Sequence, residues 1–269
     1  MNSFLILLIV GVYFLSLFVI SQVTKGKSDS QTFFSGNRNS KWYIVAFGMV
    51  GASLSGITFI SVPGDVGAIN FTYFQVVIGY LIGYFVVAYL LLPIYYKKGL
   101  ISIYEFLGDR FGKFSHKTGA FFFFISRVLG ASFRLFLVAI VLQEFIFDQW
   151  GIPFEITVTF SIILIWLYTF QGGIKTVIWT DTIQTFFMIL SVLISIFFIT
   201  NSFDQTLFEF LNSEFYSKKN QVFILDDFYN KSYFMKSFLG GMFITICMTG
   251  LDQDMMQKNL TCKNLSDAQ

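Results

Sequence analysis

A single histidine, His116, two cysteines, Cys247 and Cys262, and three prolines are all that the 269-residue chain holds of those types. So few soft ligands exclude a structural zinc site, and two cysteines make no disulfide framework; packing is the role expected of both. A glycine-rich dinucleotide turn, a P-loop and an HExxH helix are all missing, so no prosthetic cofactor is expected. Charge is scarce as well, at 13% of residues with a net +2. That balance gives no footprint for nucleic acid, and none is expected as a partner. An intramembrane enzyme would need a histidine, paired acids or an activated serine within its apolar segments. His116 lies instead in a basic connection, as a solvated residue, so no enzyme activity is expected. Pro-rich linkers, low-complexity tracts and short tandem repeats are absent too, leaving one transmembrane domain over 1–269.

What the chain does contain is apolar length: 55% of residues are hydrophobic, and 37 are phenylalanine. That composition describes an all-α polytopic membrane protein in contact with the lipid bilayer. Crossing the hydrocarbon takes about 20 apolar residues. Seven spans are predicted, roughly at 3–22, 42–68, 72–96, 117–147, 153–170, 177–200 and 233–251. The first has no Lys or Arg before Lys25. A secretory signal would begin basic and carry a shorter apolar core, so this segment reads as a retained helix. Lys25, Lys27, Arg38 and Lys41 follow span one; Lys97, Lys98, Arg110, Lys113 and Lys117 follow span three. Lys175 follows span five, and Lys258 and Lys263 follow span seven. The alternate connections carry Asp65, or Asp148 and Glu155, with no base. By the positive-inside rule the N-terminus is outside, in a multi-pass protein of the plasma (inner) membrane. The long connection at 201–232 is mixed in charge and falls outside.

The second predicted span is the unusual one. It holds Phe47-Gly-Met-Val-Gly-Ala-Ser-Leu-Ser-Gly-Ile-Thr-Phe-Ile-Ser-Val-Pro-Gly64, where glycines weaken the helix and Pro63 withholds a donor. Two readings stand. Gly48, Ala52 and Gly56 lie four apart and could form a close helix contact. Alternatively the helix breaks, and freed carbonyls make hard oxygen ligands for a small cation. Other polar residues at membrane depth are Gln75 and the tyrosines Tyr80, Tyr84 and Tyr89 (aromatic belts being the other reading of the tyrosines, and the favoured one for Tyr89), Arg127, Arg134, Asp181 and Gln184, with Asp252 and Asp254 at the end of span seven. Ionisable groups there mark pathways or paired sites. Asp181 either attracts a cation or caps a helix beginning near Trp179. Ser102 and Glu105 form a capping box ahead of an amphipathic surface helix whose apolar face is Ile103, Phe106, Leu107 and Phe111. Gln171-Gly-Gly-Ile-Lys-Thr-Val177 reads as a tight turn into a new helix.

Four blocks together carry a resemblance. They are Ser61-Val-Pro-Gly64, Ser102-Ile-Tyr-Glu-Phe-Leu-Gly-Asp-Arg-Phe-Gly112, Gly172-Gly-Ile-Lys-Thr-Val-Ile-Trp-Thr-Asp-Thr-Ile-Gln184 and Asp252-Gln-Asp-Met-Met-Gln-Lys258. Phe33-Phe-Ser-Gly-Asn-Arg38 is a fifth, weaker one. In this order and between these hydrophobic segments they resemble the sodium:solute symporter family, which holds bacterial sodium–galactose and sodium–proline symporters. The resemblance implies a LeuT-like core of two inverted five-helix repeats. Residues 3–22 would be an extra N-terminal helix, 42–200 the complete first repeat, and 233–269 the start of the second. It also implies alternating-access symport of a small organic solute with a co-transported sodium ion. The carbonyls of Gly51 and Leu54 would hold sodium, and Asp181 would sit on the sodium path without ligating the ion. Ser53, Ser55, Thr58, Gln75, Thr245 and Met248 are the candidate solute residues. Thr58, Thr245 and Met248 depart from the sugar-transporting pattern and Ser53 from the proline-transporting one, so neither galactose nor proline carries over. The closing run from Asp252 to Gln269 reads as the way into another helix. The chain is therefore expected to be an N-terminal half, inactive in transport until its C-terminal half is supplied on the same or another chain. The alternative is a membrane sensor or assembly subunit that keeps the core without transporting.

Overall fold

A computed structural model describes residues 3–24, 36–100, 102–169, 173–203 and 206–269, and the regular structure among them is helical. Helix α1 covers Ser3–Thr24, α2 Trp42–Ser53, α3 Gly56–Ile69 and α4 Phe74–Val86, which runs through a π-helical turn into α5, Leu92–Lys98. The surface helix α6 is Ile103–Phe111 and α7 is Lys113–Leu142. Then come α8 at Phe154–Thr169, α9 at Gly173–Ser202, and two short outer helices, α10 at Leu207–Leu211 and α11 at Glu214–Ser217. The chain closes with α12 at Phe234–Thr245, a π turn at Ile246–Gly250, α13 at Gln253–Asn259 and α14 at Leu265–Ala268. Lys25, Lys27, the start of the Phe33 block, and Gln171 and Gly172 lie outside the described residues.

The described residues of the seven predicted spans are mostly helical, but fewer than seven stretches are long enough to cross a bilayer. Among the described residues, four helical stretches are long and apolar enough to cross a bilayer: Phe4–Thr24, Thr58–Lys98, Lys113–Trp150 and Ile174–Ser202. A fifth arises if Phe234–Gly250 and Gln253–Asn259, bent by 70° at their junction, act as one. Trp42–Ser53 and Phe154–Leu167 are apolar but shorter. The second predicted span is divided, because Leu54 and Ser55 are extended (φ −89°, ψ 133° and φ −121°, ψ 165°) between α2 and α3.

The described residues form two compact units. One joins Met1–Asn37 to Leu100–Thr180. Within it α1 packs on α8 and on the π turn at Gln143–Phe147. The hydroxyl of Thr24 meets that of Thr176 at 2.7 Å. Ser102 caps α6 by accepting the amide of Tyr104. The apolar face then lies on α7, with Tyr104 against Phe123 and Gly119. Phe111 does not share that contact: it stays exposed at the helix end, where Gly112 turns the chain at φ 87°. Burial against α7 pushes the Tyr104 hydroxyl above its ordinary pKa, offset in part by Arg127.

The other unit joins Arg38–Gly99 to Asp181–Gln269. Its centre is the α4–α12 pair, which approaches backbone to backbone through glycine. A β-carbon on Gly79 would lie 2.1 Å from the Phe238 carbonyl oxygen, and one on Gly241 2.2 Å from that of Val76. Small residues permit such contacts where lipid supplies no hydrophobic drive between helices. Outside this pair, Lys219 donates to the Gly67 carbonyl at 2.6 Å and Ile224 donates its amide to Gln75. The segment before α12 thus binds the end of α3 and the start of α4.

Candidate functional site

The break between α2 and α3 is made by two side chains. In a continuous helix the Ser55 amide would donate to the Gly51 carbonyl and the Thr58 amide to that of Leu54. Instead Ser55 N–H donates to Thr58 Oγ1 at 3.4 Å, and Thr58 N–H donates to Ser55 Oγ at 3.3 Å. The reciprocal cap diverts the two amides that the Gly51 and Leu54 carbonyls would use. The last helical bond of α2 is Leu54 N–H to Val50 at 3.0 Å. Of the two readings of this stretch, the break is present. The tight contact at its edge uses Gly51: a β-carbon there would stand 1.9 Å from Thr185 Oγ1 and 3.1 Å from the Asp181 carbonyl oxygen.

One turn of α9, Asp181 to Thr185, therefore lies against the break. Thr185 is fully buried and donates to the Asp181 carbonyl at 2.7 Å, and Thr182 donates to the Ile44 carbonyl at 3.2 Å. Asp181 is interior to α9, which begins at Gly173, so the expectation that it caps a helix start near Trp179 is corrected. Its carboxylate accepts from Lys258 Nζ at 2.7 Å. Lys258 is only 4% exposed, with Asp254 at 4.0 Å one turn before it. Lys258, counted on the sequence only among the basic residues after span seven, is thus a buried, paired cation. The sequence did carry a signal: an acid at membrane depth calls for a counter-charge, and Lys258 shares α13 with buried Met255 and Met256. Asp252 caps that helix, accepting the amides of Asp254 and Met255.

Beside the break is an open cavity of about 680 Å³. Ser53, Leu54 and Thr58 line it from the break, Tyr73, Tyr80 and Tyr84 from α4 and its start, and Thr245, Met248 and Thr249 from the end of α12. Among the described residues that line it there is no Asp, Glu, Lys, Arg or His. The hydroxyls of Tyr73 and Tyr80 meet at 2.9 Å; one donates to the other, and the second proton remains for another acceptor. Of the candidate solute residues the structure brings together Ser53, Thr58, Thr245 and Met248. Ser55 caps α3 instead. Gln75 does not line the cavity: fully buried, its amide donates to the carbonyls of Thr72 and Ser232 and its oxygen accepts from Ile224. Backbone ends left by the turn at Asn70 and the strap before α12 claim it. Tyr80 and Tyr84, whose other reading was an aromatic belt, line the cavity together with Tyr73, which the sequence reading missed. Tyr89 faces outward and stacks on Phe85.

Arg134 is exposed on α7, and Arg127 lies over the ring of Phe123. Cys247 is exposed and Cys262 buried, with the Cys262 thiol pushed up to about 11 by burial and by Asp267, so it packs as a protonated group. Among the described residues no cluster of His, Cys, Asp and Glu could hold a metal ion.

Residues 33–267 match the sodium:solute symporter family, and the chain belongs to that family. It is 26% identical over 243 residues to sodium-coupled monocarboxylate transporter 1 of Xenopus laevis, covering 88% of this chain and 38% of that protein. It is 25% identical to sodium-coupled monocarboxylate transporter 2 of Bos taurus (94% and 42% covered) and 23% identical to the human sodium/iodide cotransporter (90% and 37%). The chain thus spans about two fifths of the length of these curated relatives. Its fold is similar to that of a Na+-coupled sialic acid symporter solved in a substrate-bound outward-open state. The TM-score is 0.78 at 22% identity, over 95% of this chain and 53% of that one.

Proposed function

We propose that this chain is the front part of a sodium-coupled symporter that moves a small organic monoanion of the monocarboxylate kind by alternating access. The observation that carries the reading is the reciprocal Ser55–Thr58 cap, which releases the Gly51 and Leu54 carbonyls beside a cavity. Sodium is the co-transported ion, held at those carbonyls, with Asp181 on its path. Solute binds in the cavity against Ser53, Thr58, Thr245 and Met248, next to the tyrosine hydroxyls. Three relatives support an anion by what they are named for carrying: monocarboxylates in two cases and iodide in the third. A lining of hydroxyl donors without a carboxylate suits the same charge.

In this reading the core is LeuT-like, with residues 3–22 an extra helix, 42–200 one repeat and 233–269 the opening of its inverted partner. The N-terminus is outside, in a plasma membrane. Further helices of the whole protein complete the ion site, as the greater length of the relatives suggests. Sodium that binds the outward-open state better than the inward-open one sets the coupling.

The test is uptake by proteoliposomes holding the whole protein. Labelled two- to four-carbon monocarboxylates are expected to accumulate under an inward sodium gradient and not under potassium. Equal uptake in potassium would overturn sodium coupling; uptake of galactose or proline alone would overturn the solute class. A second expectation concerns the cap. Ser55→Ala with Thr58→Val frees both amides to rejoin the helical ladder. The half-saturating sodium concentration is expected to rise about tenfold, with about 1 kcal/mol lost from the cap itself. Sodium titration of uptake, beside thermal unfolding, reads both.

A further inference from the structure

Lys258 is left over from the reading above: a buried cation placed beside a path for cations. Its ammonium sits 2.7 Å from the Asp181 carboxylate, and both groups are mostly shielded, with side-chain exposures of 5% and 17%. Asp181 belongs to the turn of α9 whose carbonyl and Thr185 hydroxyl press on Gly51 at the break. One helical turn therefore packs on Gly51, at the edge of the break, on one side and pairs with the Lys258 ammonium on the other. Around it α13 is anchored elsewhere, by Tyr96 donating to the carbonyls of Asn259 and Cys262 at 3.0 Å and by the Ser40 amide on Thr261 at 3.1 Å. The end of α13 thus has anchors besides Lys258. What Lys258 adds is positive charge.

We propose that Lys258 is a tethered counter-cation that neutralises Asp181 and so sets the strength with which the break holds sodium. It is a positioning residue, acting on the ion through Asp181. The inference rests on the sodium reading of the break. The physical argument is one of sign. A bare carboxylate one helical turn from the ion deepens the well for sodium and retards its departure. A bare ammonium at the same distance makes it shallower. Shielded from water, either charge acts far more strongly than it would in solvent. Paired, the two present a dipole whose field at the break is small, and sodium is then held by neutral oxygens alone. Binding of that kind is weak enough to be reversed at each transport cycle.

The experiment is a charge cycle on the whole protein, reading the sodium half-saturation of uptake separately from maximal rate. Lys258→Gln leaves Asp181 bare, and half-saturation is expected to fall on the order of tenfold, with a slower maximal rate. Asp181→Asn leaves Lys258 facing only the more exposed Asp254 at 4.0 Å, and half-saturation is expected to rise, by a smaller factor. The double variant Asp181→Asn/Lys258→Gln carries neither charge and is expected within about twofold of the parent. A pair that only holds the fold would lower the amount of assembled protein in each variant while leaving half-saturation unmoved, which overturns the proposal. A carboxylate that itself ligates sodium would leave the double variant as weak as Asp181→Asn, which overturns it too. Where a single variant does not assemble, the nearly isosteric neutral double variant decides alone: half-saturation beyond twofold rejects the inference. A parent with no sodium dependence rejects the sodium reading itself and this inference with it, whereas a sodium-dependent parent with unmoved variants rejects only the inference.

Discussion

Gly51→Ala is expected to abolish sodium-dependent uptake by the whole protein, and Thr185→Ala in the same protein to restore part of it. The added β-carbon would stand 1.9 Å from Thr185 Oγ1 and 3.0 Å from Thr185 Cβ. Thr185 has nowhere to retreat: it is fully buried, and its hydroxyl is engaged by the Asp181 carbonyl. Rotating the side chain only exchanges oxygen for methyl. That carbonyl lies 3.1 Å from the same β-carbon, so α9 itself has to move. Overpacking of this kind costs about 1–3 kcal/mol. The displacement falls on the segment whose carbonyls are proposed to hold the ion, so the loss in activity is expected to exceed the loss in stability. Thr185→Ala removes the nearest atom and leaves a contact a few tenths of an ångström too tight. Sodium titrations of the single and double variants measure the effect; a single variant with parental sodium dependence would show that α9 does not press on the break.

Gly241→Val is expected to dismantle the α4–α12 pair, whereas Gly240→Ala, one position away, is expected to be harmless. At Gly241 the obstacle is backbone, the Val76 carbonyl at 2.2 Å, and backbone cannot rotate aside. A β-carbon on Gly79 of the facing helix would likewise meet the Phe238 carbonyl at 2.1 Å, so the two glycines admit each other's main chain from both sides. Separating the helices removes the contact that positions Thr245 opposite the tyrosines and opens the cavity. A loss of about 3 kcal/mol or more is expected, visible as a collapse in the yield of folded protein in detergent. Gly240 has no atom within 4 Å of an added β-carbon, and a helical Gly→Ala change there is expected to add about 0.5–1 kcal/mol. Equal behaviour of the two variants would mean that α4 and α12 are not in backbone contact.

Much of the architecture was legible because its causes are local. The described residues of the predicted spans are mostly helical, since apolar runs of this length have few other ways to satisfy their backbone. The break was legible in part: the glycines and Pro63 fitted a broken helix and a close helix contact alike, and the Ser55–Thr58 cap that decides between them, though local, is seen only in the structure. Asp252 acted in the same way at the start of α13. Span lengths were less legible, because helices joined through a turn at Asn70 or a π turn at Val87–Leu91 show no change in hydropathy. Gln75 was misread for a related reason. A polar residue in an apolar run signals that it has a partner, but not whether that partner is a solute or the chain's own carbonyls.

Taken alone, then, the amino-acid order determined the family, the helical class and a weakened stretch of helix between Gly48 and Pro63. These follow from propensity and from hydrogen bonds that close within four residues. The tertiary structure decided which residues meet. It set Gly51 on Thr185, joined Lys258 to Asp181 across 77 positions, spent Gln75 on backbone 149 and 157 positions away, and gathered the tyrosines with Thr245 around one cavity. Such pairings depend on helix faces and close-approach glycines far apart in the chain, and no local rule of capping or periodicity encodes them.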